Sequence, residues 1–328
     1  MIGLQEKDTI PGRTLRGVFT VTGHIASGAV SDVYLARQRS LGNRNVAVKV
    51  LRKIICTADT DEAQIHIQRF RFEAELLNML KTATFANIFD AGVLEDGEAE
   101  RPYMVMEYIG GAQLSKYVQQ ERRFTIPGAA RMILTLAEGL QELHRYKVVY
   151  RDLSPSNVIL EEGGPLGLSP RLFDFSHALI PGIELFSGEQ KAQELLAGTP
   201  PYAAPESGRN GRDIRADIYS LGALFYAMVT CLPPVRLRSA TWRDYIAALD
   251  RIRHLPEEPL KKTLKKVPRG LDDVLRAAMA PKADNRYSTI AEFVTEFCEV
   301  LLQSPLTNPS GKPDNSLAAA LSRILLGK

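Results

Sequence analysis

The sequence predicts an α+β chain in two unequal parts: a small β-rich part with one main helix, then a larger, mostly helical part. Three observations lead there. From Val18 to about Tyr108 the apolar residues recur in the period of two expected of strands, broken once by a long helical stretch. Gly110-Gly111 follows, and beyond it the apolar spacing becomes helical. Finally, "DIYSLGALFYAMV", Asp217 to Val229, is apolar almost all round, the mark of a helix buried in the middle of a domain.

Residues 1–17 read as an N-terminal lead. "VFTVTGHIASGAVSDVYLAR" is two β-rich runs around a turn of small residues. "NVAVKVL" is a strand with Val46, Val48 and Val50 on one face and Ala47, Lys49 and Leu51 on the other. "DEAQIHIQRFRFEAELLNMLK" is helical, with Asp59 and Glu62 spaced as an N-terminal cap pair. "FANIFDAGV" and "PYMVMEY" return to strand, so the small part spans 18–108 with a hinge near 107–111. "GAARMILTLAEGLQELHRY" carries Ile133, Ala137, Leu140 and His144 on one helical face, and helices continue to about Leu302, giving a second part of 109–302. Residues 303–315 are rich in Pro, Ser and Asn and read as a linker. Leu317, Leu321 and Leu325 then sit at i, i+4 and i+8, so 303–328 reads as a linker with a short amphipathic C-terminal helix.

Of 328 residues 45% are hydrophobic and 24% charged, and the formal net charge is only +3, from 41 basic and 38 acidic residues. That balance gives no ground for nucleic-acid binding. The densest basic run, "KKTLKKVPR" (Lys261 to Arg269), reads as a solvated face, with docking as the other use. Cys56, Cys231 and Cys298 are odd in number, far apart and outside any CxxC motif, which fits a reducing cytosol and small buried hydrophobes. The start "MIGLQEKDTIPGR" lacks the apolar core of a signal peptide, and no run reaches the roughly 18 apolar residues of a membrane span. The expectation is a soluble, cytoplasmic protein.

Four stretches carry chemistry. Lys49 faces an otherwise apolar surface, where a lysine either snorkels outward or meets a carboxylate. Glu73 supplies the carboxylate: Phe70, Leu77 and Leu80 lie at i−3, i+4 and i+7 from it, so Glu73 sits within the apolar stripe and needs a cation. The turn "IASGAVSDV" has Ala26, Ser27, Gly28, Ala29 and Ser31, all small enough for backbone amides to approach a phosphate; a plain hairpin explains it equally well. In "VVYRDLSPSNVIL", Asp152 and Asn157 either cap an Asx-type turn or serve as a proton acceptor and a ligand for a hard cation. Asp174, in "RLFDFSHA", follows Asn157 by seventeen residues, the length of a hairpin that would bring it back beside Asn157. One carboxylate and one amide oxygen make the sparse oxygen set expected for magnesium.

These pieces, in order, resemble the eukaryotic-like (Hanks-type) serine/threonine protein kinases of bacteria: "VAVK", "RFEAELL", "PYMVMEY", "YRDLSPSN", "FDFS", "GTPPYAAPE", "DIYSLGALFYAMVT" and "DNRYSTIAEF". The resemblance runs from about Phe19 to Leu301 and implies the bilobal protein-kinase fold. It implies ATP and Mg²⁺ (or Mn²⁺) as cofactors and protein Ser/Thr hydroxyls as acceptors. Lys49, oriented by Glu73, would hold the α/β-phosphates. Asp152 would be the base, Asn157 and Asp174 the metal ligands, and Thr199 would face the acceptor hydroxyl. Ile25, Ala26 and Gly28 would belong to the loop over the nucleotide, and Val33 and Ala47 would sandwich the purine. Met106 would be the gatekeeper, and Glu107 to Ile109 the hinge that meets adenine. Arg151 would meet a phosphate on the activation segment, 174–206, with Ser187 the best-placed phosphosite. Asp217 would brace the catalytic loop, and Glu206 would pair with Arg286, for which an exposed helix arginine is the other reading.

The chain departs from the family pattern at specific positions. Ala26 and Ser31 replace two loop glycines, Tyr150 a histidine and Ser176 a glycine. "TAT", Thr82 to Thr84, stands where His-Pro-Asn is usual. Ser154 stands where a lysine usually contacts the γ-phosphate, a loss worth about 10²–10³ in rate if that contact is made only in the transition state. The expected function is therefore a serine/threonine kinase that autophosphorylates, with protein substrates and a possible cognate phosphatase as partners. The alternative is a nucleotide-binding pseudokinase scaffold. A small-molecule phosphotransferase is disfavoured by "GTPPYAAPE", which such enzymes lack.

Overall fold

A computed structural model of the chain describes residues 10–97, 99–164, 167–179, 198–208, 213–237, 239, 241–249, 254–303 and 321. It divides into two units, Met1–Lys81 with Phe85–Ile109, and Thr82–Thr84 with Gly110–Lys328. The fold is the α+β one expected, β-rich in the first unit and mainly helical in the second.

The first unit holds one antiparallel sheet of β1 (Thr14–Leu15), β2 (Phe19–Ser27), β3 (Ser31–Gln38), β4 (Arg44–Leu51), β5 (Ile88–Asp96) and β6 (Ala99–Glu107), in the order β1-β2-β3-β4-β6-β5. Alternation dictates its two faces. Tyr34, Ala36, Val46, Val48, Val50, Tyr103 and Val105 pack with Ile10, Leu15, Phe19, Val21 and Leu94 into one buried cluster. The opposite pleat brings Val33 level with Lys49, Lys49 with Met104, and Ala47 with Met106. Of the residues read as a lead, those from Ile10 on are described: Thr14 and Leu15 pair with Thr20 and Phe19 in this sheet, and Ile10 is fully buried. A two-residue strand is too short to show a period, so the sequence pattern passes over it.

After the single turn α1 (Lys53–Cys56), α2 spans Asp61–Met79. Its cap is Thr60, whose hydroxyl accepts from the Ala63 amide at 3.2 Å, one residue later than the Asp59–Glu62 pair predicts. Asp61 and Glu62 instead fall in the first turn, where the helix dipole favours negative charge. Phe70, Glu73, Leu76, Leu77 and Leu80 are buried, which is the stripe expected around Glu73.

In the second unit α3 (Leu114–Gln119) and α4 (Ile126–Arg145) precede the loop of interest, and α5 (Arg215–Thr230) lies at the centre, buried at every residue from Ala216 to Thr230. Ile133 and Leu140 of α4 are fully buried. A small sheet runs β7 (Gly111–Gln113), β8 (Val158–Gly164), β9 (Gly167–Leu172). Then come α6 (Trp242–Leu249), α7 (Leu260–Thr263), α8 (Leu271–Ala278) and α9 (Ile290–Leu302), whose Phe297 meets Phe225 of α5 edge-to-face at 5.1 Å. Thr82–Thr84 belongs to this unit because Thr84 is stitched into it: its hydroxyl donates to the Thr135 carbonyl at 3.0 Å, and its own carbonyl accepts from the Leu172 amide at 2.7 Å.

Lys261, Lys262, Lys265, Lys266 and Arg269 are all exposed, as a solvated face requires. Among the described residues no helix is long and apolar enough to cross a membrane. The closing helix around Leu317–Leu325 lies outside the described residues except for Leu321, which is helical and buried.

The Thr60 cap gives a direct check on the start of α2. Thr60→Ala should lower the unfolding free energy in urea by about 1 kcal/mol and Thr60→Asn by much less, because asparagine caps as well as threonine.

Candidate active site

In the first unit, Lys49 projects from β4 into the apolar stripe of α2. Its ammonium donates to both carboxylate oxygens of Glu73 at 2.8 Å, and each residue is only 6% exposed. The snorkelling alternative is thereby excluded. The small-residue turn is a tight hairpin: Ala26 pairs with Val33 and Ser27 with Asp32, and the Gly28 amide donates to the Ser31 carbonyl at 2.8 Å. Ile25, Ala26 and Gly28 are exposed. At the far end of β6, the Glu107 carboxylate accepts from the Asn87 side chain at 2.8 Å, Met106 is half-buried and Ile109 is buried.

In the second unit the loop after Val149 is organised by Asp217. This carboxylate, fully buried in the first turn of α5, accepts from the Tyr150 and Arg151 amides, each at 2.9 Å, and lies 2.8 Å from the His144 imidazole. It thus secures a stretch in which Arg151 holds φ +68°, a left-handed conformation costly for a residue with a side chain. Tyr150, in the usual histidine's place, donates its hydroxyl to the Phe173 carbonyl at 2.8 Å and meets Phe175 edge-to-face at 5.4 Å. Arg151 is turned inward: it is 2% exposed, with one guanidinium nitrogen 3.4 Å from the Ser207 carbonyl. Ser187, its expected phosphate partner, lies outside the described residues.

Asp152, Asn157 and Thr199 come together. The Thr199 hydroxyl donates to one carboxylate oxygen of Asp152 at 2.7 Å, and the Asn157 side-chain amide donates to the other at 2.7 Å. Asn157 ends a 3-10 turn, Pro155–Asn157, and β8 and β9 then form the predicted hairpin, with Val158 level with Leu172. The hairpin closes with the Phe173 amide donating to the Asn157 carbonyl at 3.4 Å, so Asp174 follows directly. Asp174 sits at φ +67° and accepts from the Ser176 amide at 3.1 Å and from the Ser176 hydroxyl.

The electrostatics oppose one another at Asp152. Burial raises its pKa; the charge of His177 and the hydrogen bonds from Thr199 and Asn157 lower it; the Asp174 carboxylate raises it again, for a net rise. Two carboxylates near enough to repel, with an asparagine whose nitrogen is committed to Asp152 and whose oxygen accepts from no partner among the described residues, make a donor set suited to a hard divalent cation. Magnesium, which keeps several waters and phosphate oxygens as ligands, needs no more protein oxygens than these.

Around this cluster, Gly198 holds φ +98°, and a Cβ there would lie 2.7 Å from the Arg151 carbonyl and 2.8 Å from the Ala203 Cβ, so only glycine fits. Glu206 forms a two-pronged pair with Arg286, at 2.5 and 2.8 Å. The Arg286 side chain is fully buried and also donates to the Ala280 carbonyl at 2.7 Å, so it is not an exposed helix arginine.

Residues 19–303 match the family model described as the protein kinase domain. The chain belongs to the protein kinase family. It is 30% identical over 298 residues to the serine/threonine-protein kinase PknB of Mycobacterium tuberculosis, covering 90% of this chain and 45% of that protein. It is 29% identical over 296 residues to the probable serine/threonine-protein kinase PknB of Bifidobacterium longum, covering 88% of this chain and 40% of that one. To the serine/threonine-protein kinase Pkn1 of Myxococcus xanthus it is 32% identical over 282 residues, 84% of this chain and 37% of the other. The chain thus spans less than half the length of these curated relatives.

Set within the kinase family, Ser154 is the sharpest departure. It is fully buried, and its hydroxyl has no hydrogen-bond partner among the described residues. The sequence reading overlooked His177, which stands three residues past Asp174, outside any periodic pattern, and whose charge lowers the Asp152 pKa. The Lys49–Glu73 pair of this kinase is testable by unfolding: Glu73→Gln should cost about 3 kcal/mol in urea, and replacing both partners by Met and Leu should recover most of it.

Proposed function

We propose that this protein kinase transfers the γ-phosphoryl group of ATP to serine or threonine hydroxyls of proteins. The observation that carries the proposal is the grip on Asp152: Thr199 binds one carboxylate oxygen and Asn157 the other. A carboxylate fixed in this way accepts the proton of an attacking hydroxyl without reorienting. Thr199, already bonded to Asp152, positions that hydroxyl. Asn157 and Asp174 would hold Mg²⁺ or Mn²⁺, which when bound neutralises charge on the phosphate oxygens. In the first unit, Lys49, kept charged and extended by Glu73, would hold the α/β-phosphates. Ile25, Ala26 and Gly28 would cover the nucleotide, Val33 and Ala47 would flank adenine, Met106 would be the gatekeeper, and the backbone of Glu107 to Ile109 would receive the base.

Autophosphorylation, a cytoplasmic location and a cognate phosphatase belong to the same reading. One observation favours a second reading, a nucleotide-binding pseudokinase: Ser154 brings a buried neutral hydroxyl where a cation on the γ-phosphate is usual. An assay with γ-labelled ATP and Mg²⁺ separates the two. Wild type should label itself or a generic acceptor, and Asp152→Ala should lose at least about 10²-fold of that activity. Equal labelling by both proteins would remove Asp152 as the base; ATP binding without label in either would leave the scaffold.

The pH profile carries an independent sign. Asp152 acts as the carboxylate, and its pKa is raised by burial, so kcat/KM should climb with pH through a limb above the ordinary aspartate value. The positive charge of His177 lowers that pKa, so His177→Asn should move the limb to higher pH. A limb that stays in place would show that Asp152 does not set it.

A further inference from the structure

Two consecutive carbonyls in the turn after Thr199 are held by buried hydroxyls that the transfer reaction leaves unassigned. Ser220 of α5 donates to the Tyr202 carbonyl at 2.9 Å, and Tyr245 of α6 donates to the Ala203 carbonyl at 2.8 Å. The Tyr245 hydroxyl also lies 2.7 Å from that of Tyr219 on α5, and both tyrosines are fully buried. A phenol carries one proton. Tyr245 gives its proton to the Ala203 carbonyl, so Tyr219 must donate to the Tyr245 oxygen. The run is directional: Tyr219 to Tyr245 to the carbonyl.

The same turn reaches Asp152. The amides of Tyr202 and Ala203 donate to the Thr199 carbonyl at 2.8 and 3.2 Å, and the Thr199 hydroxyl donates to Asp152 at 2.7 Å. Packing alone does not call for these phenols. Phenylalanine would fill the same volume without the cost of desolvating a hydroxyl. That cost is offset only by a partner, and the final partner here is the backbone of the turn. Burial pushes both phenol pKa values up, so the two protons stay in place through neutral pH. The ring of Tyr219 is itself fixed by the Arg286 guanidinium, 5.2 Å from its centroid, and Arg286 is anchored by Glu206.

We propose that Tyr245 is a positioning residue for the protein acceptor: its hydroxyl, oriented by Tyr219, holds the Ala203 carbonyl and thereby sets the 199–203 turn on which the acceptor is seated. The inference rests on the transfer reading of Asp152 and Thr199. It separates the two tyrosines. Tyr219→Phe leaves the proton of Tyr245 on the carbonyl; Tyr245→Phe removes the anchor and keeps the ring beside Trp242, 5.7 Å away centroid to centroid.

The test compares the full chain as wild type, Tyr219→Phe and Tyr245→Phe, with myelin basic protein as acceptor. Tyr245→Phe should raise KM for the acceptor about tenfold, the effect of one lost hydrogen bond, and leave KM for ATP within about twofold. Tyr219→Phe should change the acceptor KM by no more than about twofold to threefold. Amide exchange over residues 198–206, which does not depend on catalysis, should quicken in Tyr245→Phe and little in Tyr219→Phe. Acceptor and ATP KM rising together, with exchange quickened across the second unit, would reduce Tyr245 to a fold-stabilising residue and overturn the proposal. Unchanged exchange over 198–206 would overturn it whether or not the wild type is active. A wild type that transfers nothing, with exchange quickened in Tyr245→Phe alone, would sink the transfer reading and leave the anchor standing.

Discussion

Asp217 is the constraint on which the second unit's chemistry depends. It is a charge with no exposure to solvent, and a buried charge persists only where hydrogen bonds replace its hydration. Two of its donors, the Tyr150 and Arg151 amides, belong to the loop that carries Asp152. The carboxylate needs those amides to be tolerated, and the loop needs the carboxylate to hold Arg151 left-handed. Each side makes the other's cost bearable, so α5 and the loop are specified together. From that anchored start the loop runs through Asp152 into the 3-10 turn and on to the hairpin that returns Asp174.

The same logic recurs wherever this chain buries charge. Lys49 and Glu73 come from separate elements of the first unit, and Arg286 and Glu206 from separate segments of the second. A buried pair contributes little net stability compared with two well-packed apolar residues, yet removing one partner costs several kcal/mol. Such pairs therefore do little to strengthen the fold and much to specify one arrangement of it. Each links segments that hydrophobic contact alone would allow to slide. Asp152 is treated differently: its two carboxylate oxygens accept from the neutral Thr199 and Asn157 side chains, and the charge of His177 acts on it without a hydrogen bond among the described residues.

What was legible in the sequence was what is local. Strand alternation in "NVAVKVL" placed Lys49 correctly, and helical spacing placed Glu73, because each pattern depends on neighbours within a turn or a pleat. The central helix could be read from composition, since a helix apolar all round has one stable location. The hairpin between Asn157 and Asp174 followed from chain length alone. Cap position was less legible: the pattern pointed to Asp59, but the backbone places the cap one residue on, at Thr60. Less legible still was the Tyr219–Tyr245 contact. The residues are 26 positions apart on two helices, and nothing in either helix's period marks a hydroxyl rather than a ring edge as the point of contact.

Ser154 shows how burial changes the meaning of a substitution. Read as text, it is a lysine position that has lost its cation. In the fold it starts the 3-10 turn from an extended backbone, and its side chain is entirely enclosed. Among the described residues its hydroxyl has no partner, and an enclosed hydroxyl in that state costs about 1–3 kcal/mol. An ammonium fully enclosed at the same position would cost far more, unless the side chain extended out to a phosphate or carboxylate. The turn that presents Asn157 is therefore compatible with a small residue at this point. Lys49 is the paired form of a buried cation, its ammonium held by both carboxylate oxygens of Glu73.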